Sequence, residues 1–360
     1  MAGTKGQQSN GIRVPGVEAY QALVLVSFGA PERAEDVMPF LKRVTAGRGI
    51  PDIRLSQVAE HYYAAGGASP LNARCRELLS ALQPELDRVG LKVYWGNRNW
   101  HPLLEDTIAE MRDDGVERAL AFVTSAYGGY SSCRQYLDDI ETARRRLGHE
   151  APVIDKLRLY YNHPGWVGPW AAHLASALEP FRPAAGPDHE SQCPGSSGGH
   201  GAPVEVIFTA HSIPVPMAAN SPYVEHLTET AGLVAATAGA APWRLAWQSR
   251  SGPPNSPWLG PDICDVVRTS RASTMVVVPI GFVCDNMEIV YDLDVEATAV
   301  AKEKGANLVR VPTVSGSPAF AEMVYELVQE RLDPDAPRRS LGHHGPWPDA
   351  CPPDHCPRGR

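Results

Sequence analysis

Val204–Pro214 reads VEVIFTAHSIP, and the change of character along this stretch decides the fold. Val204, Val206, Ile207 and Phe208 form a β-branched and aromatic run too short for an ordinary helix, which suits a strand buried on both faces of a parallel sheet. Polar residues arrive only at its end. In open parallel α/β sheets ligands bind beyond the carboxyl ends of the strands, so His211 and Ser212 stand where this architecture puts chemistry. A lone His after a strand is also compatible with a structural role. A second stretch repeats the pattern: Thr274–Phe282, TMVVVPIGF, is again continuously apolar and breaks into CDNMEIVYDLD, which carries Glu288. One strand delivers an imidazole and the other a carboxylate, and the two meet only through the fold.

The 360 residues suit about two domains of ordinary size. The longest apolar runs are of strand length, well short of the roughly 20 residues that span a bilayer, and MAGTKGQQSN lacks the apolar core of a signal peptide. A cytoplasmic protein without stable membrane insertion is expected. A net charge of −8 disfavours broad nucleic-acid binding. Seven Cys, odd in number and scattered, do not form a secreted disulfide framework; free thiols or metal ligands fit better.

Along the chain, residues 1–19 are polar and Gly-rich and are expected to form a disordered arm. ALVLV at 22–26 reads as a strand ending in SFGAPE, with a helix around 36–44; HYYAAGGASPLN reads as a loop and cap before a helix at 72–89. Strands follow at 91–95 and 119–124, ending in GNRNWHP and SAYGGYSSCRQY, whose Tyr rings suit a flat apolar ligand. YYNHPGWVGPW joins two halves, and 183–202 is a flexible Gly, Pro and Ser-rich insertion. Further strands are expected at 244–249 and 308–314, helices at 223–236 and 319–331, and a Cys-containing tail at 333–360. No dinucleotide fingerprint or phosphate loop follows any strand. The alternation implies an α/β fold of two Rossmann-like, doubly wound parallel-sheet domains, 20–160 and 161–332, facing one cleft.

TAHSIP, QSRSGPP, PWLGPDI, VVPIGFV and MEIVYDLD resemble the ferrochelatase family, and within it the actinobacterial members that use coproporphyrin III. FGAPE, HYYAAGGASPLN, VYWGNRNWHP and AFVTSAYGGYSSCRQY occur in the family's order, so the likeness runs from about 22 to 332. It implies a porphyrin cleft between the halves, with the metal-site His and Glu at His211 and Glu288, and porphyrin contacts at Ser69 and Tyr136 and, with weaker matches, Tyr62 and Arg48. A neutral imidazole and a carboxylate suit ferrous iron as ligands, and either takes up a pyrrole proton. Two positions depart from many relatives: Asn286 stands where they carry His, and Phe28 where some carry an iron-ligating Tyr.

The resemblance further implies a [2Fe–2S] cluster with Cys133 as its mid-chain ligand and Cys351 and Cys356 from the tail. The fourth ligand stays open among His343, His344, His355 and Cys193, as does the alternative of ordinary thiols. Cys75, Cys264 and Cys284 read as buried small hydrophobes. The expected function is insertion of Fe²⁺ into coproporphyrin III to form coprohaem for a downstream coprohaem-using enzyme. The alternatives are a protoporphyrin IX ferrochelatase or a porphyrin carrier without turnover.

Overall fold

The computed structural model describes residues 20–182, 204–240, 242–252, 255–352 and 354–358. The expected arm 1–19, the insertion 183–202 and with it Cys193 lie outside the described residues.

The first half runs β1 (Ala22–Ser27), α1 (Ala34–Val44), α2 (Asp52–Ala64), α3 (Leu71–Arg88), β2 (Lys92–Asn97), α4 (Leu104–Asp113), β3 (Arg118–Val123), a π-helical turn (Tyr130–Arg134), α5 (Gln135–Leu147) and β4 (Val153–Lys156). The second runs α6 (Pro164–Leu178), β5 (Val204–His211), α7 (Val215–Ala219), α8 (Tyr223–Ala238), β6 (Trp243–Gln248), α9 (Ile263–Thr269), β7 (Thr274–Val278) and α10 (Met287–Ile289). A π-helix (Val290–Ala297), α11 (Thr298–Glu303), β8 (Asn307–Arg310) and α12 (Pro318–Leu332) complete it. All the strand pairs are parallel, and the two sheets share one order, β2-β1-β3-β4 and β6-β5-β7-β8.

Burial on both faces explains the uninterrupted apolar strands. In β1, Leu23 and Leu25 join a central core while Ala22, Val24 and Val26 face a second core under α4 and α5. In β5, Val206 and Phe208 enter the same central core and Ile207 turns to a third, shared with α9, the π-helix and α11. Fully burying a side chain of this size is worth about 1.5–3 kcal/mol, so a one-residue slip would exchange every such partner. Leu78 of α3, Trp166 and Trp170 of α6, Leu227 of α8 and Phe320 of α12 fill the central core, which thereby holds the inner faces of both sheets.

Four expectations change, the first being that the strand expected at 308–314 is β8 and stops at Arg310, ahead of Pro312, which has no N–H to give. The strand begun at Thr274 stops at Val278 rather than Phe282, because Pro279 has no N–H to give and the Ile280 amide turns back onto the Val278 carbonyl at 2.8 Å. HYYA is not loop but the last turn of α2. The stretch after β3 winds into the π-turn and α5, so Tyr136 sits on a helix. β4 escaped the sequence because it is a four-residue edge strand with Val153 exposed and two charged residues. The tail is packed against the body: the Leu341 amide donates to the Asn162 carbonyl at 2.8 Å, and Asn162 Nδ2 donates to the Gly345 carbonyl at 2.8 Å.

Candidate active site

The order β6-β5-β7-β8 makes the gap between β5 and β7 the point where successive connections leave in opposite directions, which opens a crevice at their carboxyl ends. Both marked residues lie there. His211 ends β5, and Gly281 in the turn after β7 crosses so near that strand that a Cβ would stand 2.5 Å from the Ala210 Cβ. Any side chain at 281 would force the two strand ends apart. Beyond that turn Asn286 Oδ1 accepts from the Ile289 amide at 3.0 Å and caps α10, whose second residue is Glu288.

His211 Nε2 faces Glu288 Oε1 at 3.5 Å, and Nδ1 lies 2.5 Å from the Ser212 carbonyl oxygen. The side chains keep 29% and 45% of their surface open, so a ligand reaches both. Burial alone would push the imidazole down, but the Glu288 carboxylate and the bond to Ser212 overcome it and hold His211 at about 9. At neutral pH the pair is therefore imidazolium and carboxylate. One turn on, Asp292 is pushed up to about 7 by burial and by the charges of Glu288 and Glu296, against the hydrogen bonds it accepts from Ser249 and Gln248. Ser249 reaches it, Oγ to Oδ2 at 2.5 Å, from a left-handed backbone with φ of 61° that is unusual outside glycine.

The first half supplies the facing wall. The His61 ring of α2 stacks on Tyr291 of the π-helix at 3.6 Å and 6°, and burial followed by the charge of Glu288 pushes the neighbouring Tyr62 phenol up. Phe40 packs edge-on against Phe28, Tyr62 and Trp100. Phe28 itself is 37% exposed, and the turn behind it needs Gly29, with φ of +78° and an absent Cβ that would lie 2.7 Å from the Asn97 Cβ. Ser69 and Tyr136 are buried, at 6% and 5% exposed. Ser69 gives its amide to the Pro31 carbonyl at 2.9 Å, and Tyr136 lies under the Arg98 guanidinium at 4.6 Å, which also pairs with Asp139. Arg48 is exposed in the turn after α1. Thus Tyr62 feels the charge of Glu288, while Ser69 and Tyr136 are buried and held by their own contacts.

Sequence reading passed over Asp292, Ser249, His61, Tyr291 and Arg98. Asp292 alone left a signal, since a carboxylate four residues after Glu288 falls on the same helical face. The others depend on which elements the fold brings together.

Away from this crevice, a cavity of about 240 Å³ between α5, β4 and the tail is lined by Cys133, Cys351, Cys356 and His355. Burial pushes the Cys356 thiol up to about 12, and Cys133 and Cys351 add to the rise. Among the described residues no group of three or more His, Cys, Asp or Glu is placed to hold a metal ion. Cys75 and Cys284 are buried, whereas Cys264 is only partly so, with a thiol pushed up to about 12, chiefly by burial.

Comparison with known proteins gives this geometry a context. The family model described as Ferrochelatase matches residues 20–332. A ferrochelatase of Rhodopirellula baltica is 44% identical over 94% of this chain and 93% of its own. Coproporphyrin III ferrochelatases of Nocardia farcinica and Frankia alni are 47% and 46% identical, over 89% and 92% of this chain and 91% and 85% of theirs. Among solved structures, SirB from Bacillus subtilis with Fe³⁺ superposes with a TM-score of 0.53 at 9% identity, over 90% of this chain and 100% of SirB. That likeness concerns the fold alone.

Proposed function

Because the chain belongs to the ferrochelatase family, we propose that it inserts ferrous iron into coproporphyrin III to form coprohaem in haem biosynthesis, with His211 and Glu288 as the residues that handle metal and protons. The observation that carries this is the imidazole and carboxylate facing each other at 3.5 Å over the open carboxyl ends of β5 and β7. Coproporphyrin III as the ring is supported by relatives of that name at 46–47% identity over about nine-tenths of this chain.

Insertion breaks two pyrrole N–H bonds, forms four iron–nitrogen bonds and releases two protons. His211 begins as the protonated partner of Glu288 and binds iron only after giving up that proton, so metal and proton compete for the same nitrogen. Glu288 neutralises the incoming cation and accepts a pyrrole proton. Asp292, one turn on in the π-helix and pushed up to about 7, exchanges protons with the pair, since a group poised near neutrality both takes up and releases them readily. Phe28, Trp100 and Tyr62, backed by the buried Phe40, offer an apolar, aromatic wall to the macrocycle. Ser69 before α3 and Tyr136 on α5 are proposed as porphyrin contacts, joined by Tyr62 on α2 and Arg48 in the turn before it; the Ser69 amide is held by the Pro31 carbonyl and the Tyr136 ring by the Arg98 guanidinium.

A [2Fe–2S] cluster held by Cys133, Cys351 and Cys356 belongs to the same proposal. The donor set fits, because three thiols open into one cavity and would be held as thiolates by iron. Such a cluster supplies a one-electron couple and a tie between the tail and the body. The protein is proposed to act in the cytoplasm and to release coprohaem to a coprohaem-using enzyme; no described helix is long and apolar enough to cross a membrane.

Anaerobic initial rates with both porphyrins test the substrate. A higher kcat/KM for coproporphyrin III in detergent-free buffer is expected, and a preference for protoporphyrin IX would select the protoporphyrin enzyme instead. His211→Ala should lose on the order of 10²-fold or more in rate while still quenching porphyrin fluorescence. A variant turning over like the parent would remove His211 from the metal site.

A further inference from the structure

We infer that His355 is the fourth protein ligand of the cluster, which is then held by three cysteines and one histidine; this rests on the cluster proposed above. Three thiols line the cavity, and [2Fe–2S] clusters take four protein ligands. Of the donors the sequence offers for the last place, Cys193 lies outside the described residues, the His343 backbone is tied to α8 and the His344 ring turns to the same helix. The His343 amide donates to Glu229 Oε1 at 3.0 Å, and the His344 ring nitrogen Nε2 lies 3.3 Å from Glu225 and 3.8 Å from Glu229. His355 is the histidine that lines the cavity with the three cysteines.

Its position is built by the tail. The His355 amide donates to the Pro352 carbonyl at 3.0 Å, closing a turn that returns the chain toward Cys351, and Cys356 then takes a left-handed φ of 55°. Trp347 braces the turn, donating Nε1–H to Cys351 Sγ at 3.3 Å with its ring 6.0 Å from that of His355. His355 Nδ1 and Cys356 Sγ stand 3.0 Å apart, close to the about 3.5 Å expected between neighbouring donors on one tetrahedral metal. No three donors converge on a single point among the described residues. A two-iron cluster does not require that, since each iron takes two protein ligands and the sulfides complete its shell.

A neutral imidazole in place of a thiolate leaves the cluster with one negative charge fewer. Reduction adds negative charge, so it becomes easier, as it does when histidines replace cysteines in Rieske centres. The Trp347 N–H on Cys351 acts in the same direction, because a hydrogen bond to a ligand sulfur draws charge from the iron.

The test uses the full chain, reconstituted anaerobically with Fe²⁺ and sulfide and reduced with dithionite. Pulsed EPR of the reduced wild-type cluster should show coupling to one histidine nitrogen. His355→Cys should keep the cluster, lose that coupling and move the midpoint potential to more negative values; His355→Ala should lose most of the bound iron and sulfide, and His343→Ala should change nothing. Circular dichroism confirms that each variant is folded. A wild-type cluster with no histidine nitrogen, or the same spectrum in His355→Ala, overturns the assignment while the cluster itself stands. If folded wild-type protein takes up neither iron nor sulfide, both fall together.

Discussion

Glu288 sets the charge state of the imidazole it faces. Burial favours neutral His211, the carboxylate favours the imidazolium, and the carboxylate wins because it stands 3.5 Å away in a partly desolvated crevice. In Glu288→Gln the largest raising influence is gone while burial remains against the bond to Ser212 and the charge of Asp292, so His211 should titrate well below the parent's value of about 9. The imidazole C–H resonances followed by NMR across pH 5–10 in iron-free protein report this directly, and an unmoved titration would mean that another group holds the proton. The stability consequence has a definite sign. A folded-state value raised from 6.5 to about 9 contributes stability that is complete below 6.5 and lost as pH rises through 9. Thermal stability of the parent should therefore fall more across that window than that of Glu288→Gln. Asp292 follows the same rule from a raised carboxyl, its share being lost as pH rises from its ordinary 3.8 through about 7.

At the scale of elements, the short α10 depends on the residue that caps it. Asn286, which cannot carry protons, instead caps the helix that presents Glu288, accepting the Ile289 amide at 3.0 Å. Loss of such a cap costs about 1 kcal/mol, and here the loss falls on three residues whose middle one is the carboxylate. Asn286→Ala should lower kcat several-fold with little change in KM for the porphyrin, because the aromatic wall on α1 and α2 is untouched. Asn286→Ser, which retains a capping oxygen, should restore most of the rate. An alanine variant with parental kcat would show that α10 holds its place without the cap. Opposite α10, the stacking of His61 on Tyr291 joins α2 to the π-helix, so the two walls of the crevice are in register through side chains that no local pattern marks.

Across the whole molecule, one buried ion pair ties the segment between the halves to the last helix. Arg158 and Glu330 are 1% and 2% exposed and meet through two bonds of 2.6 and 2.8 Å, while Arg158 also donates to the Arg339 carbonyl at 2.8 Å. Glu330→Gln leaves a guanidinium buried without its counter-charge and should destabilise the fold by about 3–5 kcal/mol in denaturant titrations. A shift within 1 kcal/mol would imply that water enters around Arg158. His163, next in this layer, is held neutral, pushed down to about 3 by burial and by Arg158 and Arg339. The sequence by itself determined the parallel α/β class, most strands and the two marked strand ends, because burial on both faces writes itself as an unbroken apolar run and function as a polar break after it. The resemblance to the family also marked Cys133, Cys351 and Cys356. Only the tertiary structure decided that β5 and β7 are neighbours with His211 and Glu288 in contact, that Asp292 is pushed up to about 7, and that His355 joins the cysteines in one cavity. Those facts depend on distances between residues far apart in the chain and on how much water the packing excludes, and neither quantity is carried by a local pattern.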